Sequence, residues 1–201
     1  MESRLRGAGY PGLTLIETMY WDGRSVPRWP LHIARLTRGA AALGWAVPAI
    51  ALSGPPEPAR LRLTLQANGQ VALETAALPA AREIWRLGLS EERLQSDDPW
   101  LSIKSSHRAA YDRARAAMPD GVDEVLLLNE RGEVCDGSIT TLFFDRGEGM
   151  RTPPLSSGLL PGVLRAELGV PEAVLMPKDL PKARLWIGNA LRGLMPALWV
   201  G

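Results

Sequence analysis

From Ala59 to Ala76 the chain alternates with the period of a β-strand. Leu61, Leu63 and Leu65 stand at every second residue, Asn68-Gly69 supplies a tight turn, and Val71 and Leu73 alternate back. Period two places these side chains on one face of a hairpin. An apolar sheet face must be buried against another layer. A partner is visible upstream: Leu31, Ile33, Leu36, Ala40 and Leu43 recur at helical spacing, and Gly44 is a stop signal. The pattern therefore predicts a mixed α+β (or mixed α/β) chain.

The remaining segments fit that class. Leu13–Gly23 reads as a strand ending at the Asp22-Gly23 turn, residues 47–59 as a Pro-rich connection, and Glu83–Ser90 as a further strand. Residues 96–100 form a loop, and from Ser105 through Ala117 the residues favour helix, which leaves Lys104 at the entrance to a helix. A strand over Glu124–Leu128, a turn at Asn129–Gly132 and a strand over Ser138–Phe144 follow. A loop then leads to a helix starting near Pro161, and the chain closes as strand, loop and strand. The expected division lies near residue 95, giving a smaller N-terminal α/β lobe over 1–95 and a C-terminal α/β lobe over 96–201 that carries Lys104.

Composition narrows the function. A net charge of +1 gives no broad attraction to nucleic acid or to a membrane surface. No run approaches the ~20 apolar residues of a membrane span, and the first dozen residues lack the apolar core of a secretion signal. Together with a lone cysteine, Cys135, which excludes an internal disulfide, this predicts a cytoplasmic protein. Two histidines and one cysteine supply no metal cluster. Only three lysines are present, Lys104, Lys178 and Lys182, so amine chemistry has few candidates.

Five segments, in order along the chain, resemble one family. LIETMYWDG followed by LHIARL resembles the N-terminal pair of class IV aminotransferase-like enzymes, SDDPWLSIKSSHRAAYD the lysine segment of their aminodeoxychorismate lyase branch, and DEVLLLNERGEVCDGSITTLFF the central signature. TPPLSSGLLPGVLRAEL resembles the next segment, and GNALRGLMPA the C-terminal one. The resemblance implies the two-lobed branched-chain-aminotransferase-like fold of fold type IV, pyridoxal 5′-phosphate (PLP) as cofactor, a small-molecule amino substrate and a homodimer.

It also implies roles. Lys104 matches the Schiff-base lysine; its flanks Trp100, Leu101 and Ile103 are apolar, whereas Lys178 and Lys182 lie in a Pro-flanked charged loop. Asp136 matches the family's glutamate at the pyridine nitrogen, one methylene shorter; its plainer reading is a turn aspartate before Gly137. Arg35 matches a phosphate-binding arginine, with an exposed helix arginine as the alternative. Val163 and Leu164 match the backbone donors of a phosphate cup at a helix start. Asn189 and Ala190 fall in the last cofactor segment. Ala190 stands where the family offers a hydroxyl, for which Asn189 or Ser138 would compensate. Thr141 stands where the family often has Asn. His107, Arg108 and Thr141 are the candidate substrate contacts, with Arg165 and Arg192 as further carboxylate ligands. His32 packs or caps within its helix, and Cys135 is a buried structural thiol.

The lysine and C-terminal segments favour a PLP-dependent 4-amino-4-deoxychorismate lyase, which forms pyruvate and 4-aminobenzoate in folate synthesis and is functionally linked to aminodeoxychorismate synthase. An amino-acid transaminase of the branched-chain or D-amino-acid type is the alternative. A degenerate PLP-binding protein without turnover, suggested by Asp136 and Ala190, is the third reading.

Overall fold

The computed structural model describes Leu5 and residues 10–201. They group into two compact units. One runs to Ala80 and takes in Ser102–His107; the other comprises Ala81–Leu101 and Arg108–Gly201.

The first unit is a three-stranded antiparallel sheet and one helix. β1 (Thr14–Trp21) pairs with β2 (Ala59–Gln66), which pairs with β3 (Val71–Ala76). The register sets Leu15 opposite Leu65 and Leu63 opposite Leu73. Leu61, Leu63 and Leu65 are buried together with Leu15 and Met19, as period two requires. Helix α1 (Trp29–Leu43) buries Leu36, Gly39, Ala40 and Leu43. A Cβ at Gly39 would already touch Leu15 and Ile103 at 3.4 Å, so α1 lies close on the strand there. The helix ends at Gly44, whose φ of 73° is left-handed, with amides returning to Ala40 and Ala41.

The lysine segment departs from its expected helix. Helix α2 spans only Ala109–Ala116. Lys104–Ser106 run beside β1 instead: the Ile16 amide donates to the Lys104 carbonyl at 2.9 Å, the Ser106 amide to the Thr14 carbonyl at 2.8 Å, and the Thr14 amide to Ser106 Oγ at 3.0 Å. Helix propensity differs by only about a few tenths of a kcal/mol per residue, so pairing with an existing strand overrides it. The same bonds place Lys104 with the first unit, whereas the division near residue 95 assigns it to the C-terminal lobe.

The second unit is built on a six-stranded sheet. Its strands are β4 (Trp85–Leu94), β5 (Glu124–Asn129), β6 (Val134–Gly137), β7 (Thr141–Asp145), β8 (Arg184–Asn189) and β9 (Gly193–Trp199), in the order β6-β5-β4-β9-β8-β7. β4 is parallel to both neighbours; the other pairs are antiparallel. All six residues of β5 are buried, as its unbroken apolar run demands. One core collects Leu87, Leu126, Val134, Leu142, Phe144 and Ile187, and another Leu94, Val125, Leu127, Cys135 and Leu159.

The strand expected over Ser138–Phe144 begins three residues later, and Val134–Gly137 forms a strand of its own. Those two strands occupy opposite ends of the six-strand order, yet only Ser138–Thr140 joins them. Four residue steps reach at most about 14 Å, whereas flat edges of such a sheet would stand about 24 Å apart. The sheet is therefore strongly coiled, and the Ser138–Thr140 turn closes the gap.

Helix α3 (Val163–Leu168) packs on β8 where a side chain would not fit. A Cβ at Gly188 would fall 2.4 Å from Leu164 Cδ2 and 2.7 Å from the Gly193 carbonyl oxygen. Leu164 can turn away, but the backbone oxygen cannot. Gly188→Ala should therefore destabilise the protein by about 2 kcal/mol through overpacking. Denaturant unfolding measures this, and a change below about 0.5 kcal/mol would contradict the packing described.

Candidate active site

In the first unit an acid occupies the apolar face of β1. Glu17 alternates with Leu15, Met19 and Trp21 and is 1% exposed. Arg35 Nε donates to Glu17 Oε1 at 2.9 Å, Arg35 Nη2 donates to Oε2, and His32 Nδ1 stands 2.6 Å from Oε2. Burial alone would raise the Glu17 pKa, but Arg35 and His32 outweigh it and hold the carboxyl below its ordinary value. His32 therefore bonds to Glu17 instead of capping its helix, and Arg35, 7% exposed, is not a solvated surface arginine. Lys104 is half-buried, while Lys178 and Lys182 are exposed. His107 is exposed, with its ring edge-on to Tyr10 at 5.2 Å.

In the second unit several sequence-predicted residues lie around the turn from Gly137 to Thr140. Asp136, 5% exposed, is the penultimate residue of β6, and buried Thr141 begins β7. Gly137 N–H closes the turn on the Thr140 carbonyl at 2.8 Å. Arg108 Nη2 donates to the Ser138 carbonyl at 2.9 Å, and Asn189 Nδ2 to the Ile139 carbonyl at 3.2 Å.

Beneath the turn lies a residue the motifs do not single out. Glu124, 0% exposed, accepts from the amides of Val125 (3.1 Å) and Ser138 (3.1 Å) and from Ser138 Oγ on Oε1. On Oε2 it accepts from the Ile139 amide (3.2 Å) and Thr140 Oγ1 (2.9 Å). The sequence signal for both buried glutamates is an acid set within an apolar strand pattern, as in Leu15-x-Glu17-x-Met19 and at the head of Glu124–Leu128.

The helix start expected to supply the backbone donors of a phosphate cup also lies in this unit. Val163 opens α3 behind Gly162, and no side chain caps that helix. A Cβ at Gly162 would fall 2.8 Å from Thr141 Oγ1, so only glycine lets the helix start approach β7. The Leu164–Gly188 contact brings the same helix start to the strand that ends at Asn189. First-turn amides have no partner within a helix and suit an anion. At six residues α3 contributes little dipole, so the N–H groups themselves matter more. Asn189 Oδ1 accepts from the amides of Leu191 (3.1 Å) and Arg192 (3.0 Å), and Ser138 Oγ donates to Glu124. Both polar groups expected to replace the hydroxyl missing at Ala190 thus hold turns. Arg165 donates to Thr152 Oγ1 and the Pro153 carbonyl, each at 3.0 Å, and to Glu172, and so braces the TPP loop.

Two neighbours of Asp136 complete the picture. The Tyr111 hydroxyl is buried without a hydrogen-bond partner, and burial, then the Asp136 charge, push its pKa well above 10. Burial, then Asp136, raise the Cys135 thiol to about 12, which suits a structural thiol. A buried carboxylate, an uncapped helix start, a glycine cradle and an orphaned phenol hydroxyl are a donor set that fits a phosphorylated, ring-nitrogen-bearing ligand. Among the described residues no group of three or more His, Cys, Asp or Glu could hold a metal ion. No helix among them is long and apolar enough to cross a membrane.

Glu133 secures the turn that leads into β6. It accepts from Arg131 Nε (3.1 Å), Ser157 Oγ (2.7 Å) and Asn129 Nδ2 (2.8 Å). Arg131, first, and then Ser157 and Asn129 hold its pKa at about 2, against an ordinary 4.5, despite partial burial. A depressed carboxyl stabilises the fold above its unfolded pKa, and that contribution is lost as pH falls from 4.5 through about 2. Glu133→Gln should lower stability at neutral pH and flatten the decline across that window. Melting curves from pH 7 to 2 test this; parallel curves for the two proteins would refute it.

Comparison with known proteins identifies the family and the fold. The family model for amino-transferase class IV matches residues 14–198. A crystal structure of a provisionally assigned amino-acid aminotransferase from Mesorhizobium loti is 42% identical with a TM-score of 0.88, covering 94% of this chain and 100% of that one. A 4-amino-4-deoxychorismate lyase from Pseudomonas aeruginosa shares the fold at 24% identity and a TM-score of 0.75, over 92% of this chain and 83% of that one. A protein of Schizosaccharomyces pombe, provisionally named an aminodeoxychorismate lyase, is 27% identical over 167 residues, 77% of this chain and 72% of its own length. The fold is that of the branched-chain-aminotransferase-like structures, and the chain belongs to the class IV amino-transferase family.

Proposed function

We propose that this protein is a PLP-dependent lyase that converts 4-amino-4-deoxychorismate to 4-aminobenzoate and pyruvate. The observation that carries the reading is Lys104. It is the one half-buried lysine of the three, its backbone is fixed to β1, and its segment resembles that of the lyase branch. The Schizosaccharomyces pombe relative supports the same branch.

Lys104 would hold the cofactor through Nζ and, once released by the substrate amine, take the α proton on that atom. When bound, PLP supplies an electron sink for the charge left at the α carbon. Asp136 would keep a proton on the ring nitrogen. The Val163 and Leu164 amides and Arg35, oriented by Glu17, would bind the phosphate, with Asn189 and Ala190 beside them. Arg108, Thr141 and His107 would contact substrate. A homodimer is part of this reading, as is an upstream chorismate-aminating synthase to supply the substrate.

An amino-acid transaminase is the second reading, favoured by the Mesorhizobium loti structure. The two differ in product. With PLP and 4-amino-4-deoxychorismate, a lyase yields pyruvate and 4-aminobenzoate in equal amounts. A transaminase instead converts an amino acid to its keto acid and needs a keto-acid acceptor. Keto-acid formation without 4-aminobenzoate would overturn the first reading, and no turnover of either kind would leave a PLP-binding protein.

Borohydride treatment in the presence of PLP should leave the cofactor's mass on the Lys104 peptide. A label on Lys178 or Lys182, or none, would end both enzyme readings. Asp136→Asn should retain PLP but lose at least about a hundredfold in kcat, whereas Asp136→Glu should stay active. Wild-type turnover in the Asn variant would remove Asp136 from the ring nitrogen.

A further inference from the structure

We propose that Glu124 is a positioning residue whose carboxylate sets the Gly137–Thr140 turn and thereby the placement of Asp136 and Thr141. Its effect on cofactor binding rests on the PLP reading above; its effect on the turn does not.

Three features carry the proposal. First, every hydrogen bond to the Glu124 side chain is one it accepts, from three amides and two hydroxyls, and three of those donor residues are consecutive, Ser138, Ile139 and Thr140. Second, the turn has no slack. A Cβ at Gly137 would fall 2.4 Å from Thr140 Oγ1, 2.9 Å from the Thr140 carbonyl and 3.1 Å from Glu124 Cδ. Third, the carbonyls of the same turn are held from outside by Arg108 and Asn189. The Ser138 and Ile139 amides face one buried carboxylate, with the Ser138 amide also on the Val125 carbonyl at 3.2 Å, and the carbonyls of the same two residues face two side chains, so the turn is held from both sides.

Asp136 and Thr141 are the residues on either side of that turn. A shift of the turn moves both, because Gly137 follows Asp136 directly and Thr140 precedes Thr141 directly. The need is for an acceptor on both oxygens. In Glu124→Gln the amide NH2 would confront the Ile139 N–H, donor against donor, and one end of the turn would come loose.

The test compares wild type, Glu124→Gln and Thr140→Val, first by amide hydrogen exchange without PLP and then by PLP titration of tryptophan fluorescence. In Glu124→Gln the Ile139 amide should exchange at least about tenfold faster, while Ile187 and Met195 in β8 and β9 keep their wild-type rates. Its PLP affinity should fall about tenfold. Thr140→Val should show smaller changes in the same direction. In an Asp136→Asn background the Glu124→Gln loss of affinity should shrink below about threefold, because the two residues act through one contact.

Wild-type exchange at Ile139 in Glu124→Gln would overturn the proposal. So would acceleration spread evenly through the unit, or a full loss of affinity that persists beside Asp136→Asn. If Glu124→Gln does not fold, Thr140→Val and Ser138→Ala decide, and unchanged local exchange in both overturns it. If wild type binds no PLP, the cofactor reading fails by itself, and the exchange rates alone judge Glu124.

Discussion

The second unit is organised around a buried negative charge. A carboxylate moved out of water costs several kcal/mol unless donors replace the lost hydration. Glu124 meets that requirement with the amides of Val125, Ser138 and Ile139 and the hydroxyls of Ser138 and Thr140. The consequence runs outward. Those bonds hold the short turn that joins the two ends of the six-stranded sheet, and the sheet must coil for so short a turn to reach. Asp136, one residue from the end of β6, and Thr141, at the start of β7, then flank a fixed turn, while Arg108 and Asn189 are drawn in by the turn's carbonyls.

The first unit repeats the device on a smaller scale. Glu17 lies on the apolar face of β1, and burial would neutralise it if Arg35 and His32 did not face it. The fork of Arg35 is thereby oriented from behind, which a planar guanidinium permits and an ammonium would not. In both units the apolar pattern builds the layers, and an acid placed within it fixes the polar groups that face it. Such arrangements are exacting, since each donor left unmatched costs about 1–3 kcal/mol, and this explains why glycine stands at Gly137, Gly162 and Gly188, where a Cβ would push the parts away.

Much of this was legible from residues alone, for identifiable reasons. Alternation in β2 and β3, the Asn68-Gly69 turn and the helical spacing that ends at Gly44 are local signals, and local sterics act the same way in any context. The order of the five motifs carried the family, because it depends on residue types at set spacings and not on how they fold. Lys104, Asp136 and Arg35 stood out on that ground. The two buried glutamates did not, although an acid inside an apolar strand is a visible signal. The sequence shows that such an acid needs donors but not where they come from.

What tertiary structure alone decided concerns partners distant in the chain. Helix propensity after Ser105 gave way to strand pairing with β1, because residues about ninety positions earlier offered backbone bonds that no local pattern announces. The strand expected over Ser138–Phe144 begins only at Thr141 because Glu124 draws the Ser138 and Ile139 amides and the Ser138 and Thr140 hydroxyls toward itself. Arg165 went to Glu172 and the TPP loop, and His32 to Glu17, as each polar group took the nearest complementary one in the folded chain. Sequence by itself determined the element types, the apolar faces and the family, all of which follow from residue chemistry at fixed local spacing. The pairing of buried polar groups was settled only by the fold, because hydrogen bonds act over about 3 Å and only the packed chain brings distant residues that close.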